Sequence, residues 1–106
     1  MRCTVFFVDE RTASSFHKLK KSRSEDRRLL KWIEGALEDI ERDCTNGIQI
    51  PKRLVPKKYC SLDSLYKYDL PGGWRLLYTV ITAEDSVQAI VLEWLPHRKY
   101  ERLFGY

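Results

Sequence analysis

Residues 65–80 read LYKYDLPGGWRLLYTV, and residues 87–96 continue VQAIVLEWLP. In the first stretch Tyr66, Tyr68 and Leu70 alternate with Lys67 and Asp69, the period-two pattern of a strand with two different faces. Pro71-Gly72-Gly73 supplies turn chemistry. The pattern then resumes, with Trp74, Leu76, Tyr78 and Val80 on one face and Arg75, Leu77, Thr79 and Ile81 on the other. Ala83-Glu84-Asp85 predicts a second turn, and the continuous apolar run from Val87 to Trp94 predicts a strand covered on both sides until Pro96 stops it. Together these residues predict a three-stranded meander.

Upstream, Cys3 to Val8 is a β-branched and aromatic run too short for a helix and ended by Asp9-Glu10-Arg11, so it reads as a first strand. Ala13, Phe16 and Leu19 then recur at helical spacing. A longer helix follows, with Ser24 offering an N-cap, Glu25 and Asp26 suited to the positive end of the helix dipole, and Leu29, Leu30, Ile33, Leu37, Ile40 and Cys44 marking one face. Asn46-Gly47 predicts its left-handed C-cap. Trp32 lies off that stripe and is read either as packing on the first helix or a sheet edge, or as a partner contact. Residues 48–62, IQIPKRLVPKKYCSL, hold two prolines and a cluster of cations, which predicts an ordered basic loop. The predicted architecture is α+β: a small, mostly antiparallel sheet with the N-terminal helical pair packed on one face, one domain over residues 1–106.

Composition narrows the classes. Hydrophobic residues at 43% and charged residues at 32% suit a globular chain and argue against global disorder. No run is long and apolar enough for a membrane span, and the N-terminus meets Asp9 before a signal-peptide core forms, so a cytoplasmic protein is expected. Cys3, Cys44 and Cys60 contain no CxxC pair and no His at ligand spacing, so idle thiols are expected rather than a disulfide or a metal site, and no cofactor is called for. The formal charge of +4 favours a polyanionic partner mildly.

The chemistry-bearing residues gather in the meander and just beyond it: Lys67, Arg75, His97, Arg98, Lys99, Tyr100 and Arg102. A strand-borne guanidinium among apolar neighbours is costly to bury alone. Arg75 is therefore expected to face either a cavity or a carboxylate, Asp69 and Glu93 being the cross-strand options. RNA is cleaved when a base deprotonates the 2′-OH, a cation stabilises the charge growing on the phosphorane, and an acid protonates the 5′-oxygen. His97 is the residue type that does acid or base work near neutrality. Arg75 and Arg98 are suited to clamping a phosphate, and Tyr100 to stacking a nucleobase or donating a proton. The plainer alternatives are an exposed C-terminal loop histidine, and a tail whose Tyr100 and Phe104 pack on the sheet.

The stretches LYKYDLPGGWRLLYTV and VQAIVLEWLPHRKYERLFGY, with the helical pair and the IPKRLVPKKY loop before them, resemble the RelE/ParE superfamily of type II toxins. The resemblance implies a small sheet packed by two N-terminal helices, a protein antitoxin as partner and, in the RelE branch, ribosome-dependent cleavage of mRNA without a metal. It matches Arg75 to the strand arginine that stabilises the transition state, Lys67 to a lysine on the preceding strand, and Arg98 to a later arginine. A second basic residue expected on the Lys67 strand is replaced by Asp69, and the family tyrosine falls on Tyr100, Phe104 or Tyr106. On this reading Lys52, Arg53, Lys57 and Lys58 of the loop, with Lys18, Lys20 and Lys21 of the first helix, are expected to dock on ribosomal RNA. Two other readings stand beside it: a ParE-like inhibitor of DNA gyrase, and a catalytically degenerate toxin fold kept as a binding protein.

Overall fold

In the computed structural model, which describes residues 2–105 apart from the side chain of Ser24, the alternating stretch forms strands β3 (Tyr66–Asp69), β4 (Arg75–Ala83) and β5 (Ser86–Leu95). They follow β1 (Thr4–Phe7), α1 (Glu10–Leu19), α2 (Ser24–Arg42) and β2 (Ile48–Gln49), and α3 (His97–Phe104) comes last. The five strands make one sheet in the order β1-β5-β4-β3-β2. β1 runs parallel to β5 at one edge, and every other pairing is antiparallel. The fold is α+β, as the alternation predicts.

Two apolar layers sandwich the sheet. On one face Phe16, Leu29, Ile33, Ala36 and Ile40 of the helical pair pack against Leu76, Tyr78, Ala89 and Val91. On the other, Leu77 and Leu92 pack against Ile50, Tyr59, Leu65 and Tyr100, which come from the 50–65 segment and α3. β4 thus alternates as its sequence predicts, while β5 carries a bulge. Leu77 pairs with Glu93 but Tyr78 pairs with Val91, leaving Leu92 as the extra residue. The added residue resets the side-chain parity. Val87, Ala89, Val91 and Trp94 therefore reach the helical layer, while Leu92 and Leu95 reach the other.

The helix ends depart from the sequence reading. α1 is capped by Asp9, whose Oδ1 accepts from the Thr12 amide and hydroxyl, both at 2.8 Å. That pair of bonds holds its carboxyl below the usual range. Ser24 is not the cap of α2 but its first helical residue, after the extended Arg23, whose side chain makes no capping hydrogen bond. Glu25 and Asp26 in the first turn offset the helix dipole instead. At the far end Asn46-Gly47 adopts no left-handed conformation. α2 stops at Arg42 because Asp43 turns extended and its Oδ1 accepts from the Thr45 amide and hydroxyl at 2.9 and 2.7 Å, contacts that lower its carboxyl to about 2. Asn46 still serves the helix end, donating from Nδ2 to the Asp39 carbonyl at 2.7 Å.

The 48–62 segment is ordered and basic, but it is more than a loop. Ile48 and Gln49 pair with Lys67 and Tyr66 as an edge strand, and Pro51 and Pro56 each precede one 3-10 turn, Lys52–Leu54 and Lys57–Tyr59. Residues 97–104, read as a tail, form α3: Pro96 precedes it and Gly105, at φ 75°, ends it in the left-handed region. Trp32 is half-buried at the edge of the helical core, beside the glycine turn that joins β3 to β4. Cys3 and Cys44 are buried free thiols, and Cys60 is an exposed one.

Gly47 is required by space. Its amide donates to the Tyr78 hydroxyl at 2.9 Å, and that hydroxyl donates to the Cys44 carbonyl at 2.8 Å. A β-carbon there would stand 2.5 Å from the Tyr78 oxygen and 2.8 Å from the Lys67 carbonyl. Gly47→Ala should therefore cost about 2 kcal/mol of stability, the usual cost of overpacking. A lowered urea midpoint at unchanged slope is the expected result.

Candidate functional site

The registers of β3, β4 and β5 build one polar cluster on the face away from the helical pair. Asp69 lies directly opposite Arg75, Lys67 opposite Leu77, and Arg75 opposite Leu95 of β5. Side chains two apart on a strand share a face, so Lys67 and Arg75 both reach Asp69. Leu95 is followed by Pro96 and α3, which sets the first turn of that helix beside Arg75. On α3, His97, Tyr100 and Glu101 stand at helical spacing and share one side.

A cleft of about 340 Å³ opens there. Arg75, Lys67, His97, Tyr100 and Glu101 line it together with the 48–51 stretch and Leu54. Arg75 both lines the cleft and meets a carboxylate: its Nε is 2.9 Å from Asp69 Oδ1, and Lys67 Nζ is 3.3 Å from the same oxygen. The Arg75 Nε–H is buried yet not aligned on an acceptor, so the contact is an ion pair without a formed hydrogen bond. One Nη donates to the Trp74 carbonyl at 3.2 Å. Arg75 Cζ lies 5.4 Å and Lys67 Nζ 6.0 Å from the centre of the Tyr100 ring. Phe104 meets the same ring at 4.4 Å between centroids.

Tyr100 is only 5% exposed, so its ring is a packed platform for the two cations and has no open face for a nucleobase. The family-tyrosine candidates thus differ in place: Tyr100 lines the cleft, Phe104 packs behind it, and Tyr106 lies outside the described residues. His97 is exposed but helical, and its Nε2 is 2.7 Å from Glu101 Oε1. Gly73, at φ 80°, passes close to it, since a β-carbon there would lie 3.1 Å from His97 Cβ. Arg98 and Lys99 are exposed on α3 and do not line the cleft.

The basic residues fall into separate groups. Lys52 and Arg53 are exposed on the turn whose neighbours Pro51 and Leu54 form the cleft wall. Lys57 is exposed, and Lys58 is tied to Glu93 at 3.0 Å. Lys18, Lys20 and Lys21 lie at the end of α1, in the helical layer on the opposite face of the sheet, with Lys20 Nζ over the Phe16 ring at 5.4 Å.

The sequence reading missed Glu101 as the partner of His97. A helical signal was present in Pro96 before and Gly105 after an eight-residue segment with aromatics at 100 and 104. Among the described residues no three His, Cys, Asp or Glu side chains cluster as a metal set, and no helix is long and apolar enough to cross a membrane. No family model, curated protein or solved structure matches this chain.

Three tyrosines, Tyr59 and Tyr78 buried and Tyr68 half-buried, hold their protons firmly. Burial, then the hydroxyl's bond to Glu93, pushes Tyr59 far up, and burial does the same to Tyr78. Burial and the bond to Asp39 push Tyr68 up to about 12 from 10.0. Each folded-state value lies above the unfolded one, so the folded chain keeps protons that the unfolded chain releases. Their stabilisation is full below about pH 10 and fades above it. In an alkaline absorbance titration, Tyr59, Tyr68 and Tyr78 should stay un-ionised near pH 10 and then appear together with loss of tertiary structure.

Proposed function

We propose that the protein is a cytoplasmic toxin of the RelE kind, which cleaves mRNA on the ribosome through attack of the 2′-OH on the adjacent phosphate and is held in check by a protein antitoxin. The observation that carries this reading is the convergence of Lys67 and Arg75 from two strands with His97 from α3 in one cleft. An in-line displacement at phosphorus needs positive charge at the phosphate and a proton carrier beside it. Arg75 and Lys67 are the cations. They are held by Asp69 and rest on the Tyr100 ring, so little side-chain freedom remains to be lost on binding.

His97 is the proton carrier. Its Nε2 faces the Glu101 carboxylate at 2.7 Å, so Nδ1 is the nitrogen left for the reaction. It either takes the 2′-OH proton as base or gives one to the 5′-oxygen as acid in the step that leaves a 2′,3′-cyclic phosphate. The cleft has a single such imidazole, so the second proton transfer falls to a group brought by the ribosome or to water. That fits a nuclease slow on free RNA and active on translated RNA. Lys52 and Arg53 beside the cleft continue the positive surface for the flanking strand or ribosomal RNA. A protein partner is supported by the open part of the sheet, where Phe6 and Ile81 remain about half exposed on the cleft-side face.

In a translating extract the protein should cut mRNA within codons and leave cyclic or 3′-phosphate ends. Arg75→Ala should lose about 100-fold or more in cleavage, and growth inhibition with it, at unchanged circular dichroism. His97→Ala should slow cleavage by roughly 10²- to 10⁴-fold. Intact mRNA together with arrested gyrase supercoiling would replace this reading with the gyrase-binding one. Intact mRNA with active gyrase would leave the degenerate binding protein.

Reversing the charges of Lys52, Arg53 and Lys57 should weaken ribosome association, and binding should fall as salt rises. The same change at Lys18, Lys20 and Lys21, on the other face of the sheet, should cost less. Co-sedimentation of the variants with ribosomes measures both.

A further inference from the structure

Two cations that line the cleft, Lys67 and Arg75, are at rest paired with the protein's own anion, Asp69, which lies beside the cleft in the neighbouring depression along Ile48 and Tyr68. Asp69 Oδ1 alone takes both strand cations, Arg75 Nε at 2.9 Å and Lys67 Nζ at 3.3 Å. The imidazole is matched to Glu101 in the same way. With His97 neutral, the charges of Lys67 and Arg75 are balanced by those of Asp69 and Glu101. The field expected of a phosphate site is therefore largely cancelled at the cleft.

Two features set the Asp69 contact apart from an ordinary structural salt bridge. The Arg75 Nε–H, buried and not aligned on the Asp69 oxygen, retains hydrogen-bonding capacity that an oxyanion in better register would take up. The two partners are also unequally held: the Arg75 side chain is 19% exposed and that of Lys67 22%, whereas that of Asp69 is 48% exposed. The cations are anchored on the Tyr100 ring, and the carboxylate is the member with solvent to move into.

We propose that Asp69, beside the cleft, is an internal counter-ion to the two cations a substrate phosphate would use, so that RNA binds in the cleft by taking Lys67 and Arg75 over from the Asp69 carboxylate. This rests on the RNA reading of the cleft. The exchange swaps one anion for another between the same two cations, so the cations are never left bare. A phosphate offering only its charge gains little over the resident carboxylate. An RNA held by further contacts, along Lys52 and Arg53 or through the ribosome, gains enough to displace it. Asp69 thus lowers affinity for stray RNA and makes productive binding depend on those additional contacts.

The test is binding of a short single-stranded 2′-O-methyl RNA, which presents phosphates but cannot be cleaved, followed by fluorescence anisotropy over a range of KCl. Asp69→Asn should bind it about tenfold more tightly than the parent, the effect of removing one competing charge from a partly buried pair. Its plot of log affinity against log salt should be steeper by about 0.7, as one more phosphate is neutralised on a single strand. Asp69→Glu, which keeps the charge, should behave like the parent. A merely structural Asp69 would give an Asn variant that melts earlier and binds no more tightly, with an unchanged or shallower salt slope, and that result would overturn the proposal. Arg75→Ala separates the two claims. If it weakens binding while Asp69→Asn has no effect, the counter-ion role fails and the RNA site stands. If Arg75→Ala leaves binding unchanged, the RNA reading of the cleft fails, and this proposal with it.

Discussion

Strand β4 has no side it can leave in water. Leu76, Leu77 and Tyr78, three consecutive residues, are wholly buried, so two successive side chains on one face and the one between them on the other all need cover. The helical pair covers one face and the 50–65 segment with α3 covers the other. Each large apolar side chain buried in this way contributes about 1.5–3 kcal/mol, so neither layer is dispensable in a chain of this size. The cleft arises where the second layer is incomplete, between the β2 edge, its following turn and the start of α3.

The same constraint explains why the polar residues of the cleft are so interlocked. Arg75 sits one residue before the buried triplet, on the face that Leu77 shares, and is therefore drawn partly out of water. A guanidinium in that position requires an anion and an apolar support. The β3–β4 register supplies Asp69 and α3 supplies the Tyr100 ring. Geometry that would stabilise a transition state is here a by-product of satisfying a half-buried cation. The bulge at Leu92 contributes from the third strand. It resets the parity of β5 so that Leu95 faces the cleft-side core and Trp94 the helical one, and α3 starts from that point.

Residue patterns made much of this legible in advance. Alternation over 65–80, the glycine turn, the doubly covered β5 and the apolar stripe of α2 each follow from a local period, and local periods survive into the fold. Arg75 stood out because its burial is costly, and Asp69 was among the partners it called for. The departures came where the deciding contact is not local. Asn46-Gly47 has the composition of a helix cap, but the space beside Tyr78 is what demands a glycine there. Residues 97–104 read as a tail because they follow the proline that stops the last strand. They are a helix because Tyr100, Leu103 and Phe104 find a core made by residues from three other segments.

By itself, the sequence determined the types of β1, α1, α2, β3, β4 and β5, the two faces of the central strands, the α+β class and the presence of a strand-borne arginine in need of an anion. These depend on side-chain volume, polarity and spacing, which are written along the chain. Only the tertiary structure decided that β1 joins parallel to β5, that His97 stands beside Arg75 and Lys67, and that the lysines of α1 lie on the opposite side of the sheet from the cleft. Those outcomes depend on strand register, a one-residue bulge and the docking of α3. Each is fixed by contacts between residues far apart in sequence, and no local pattern encodes them.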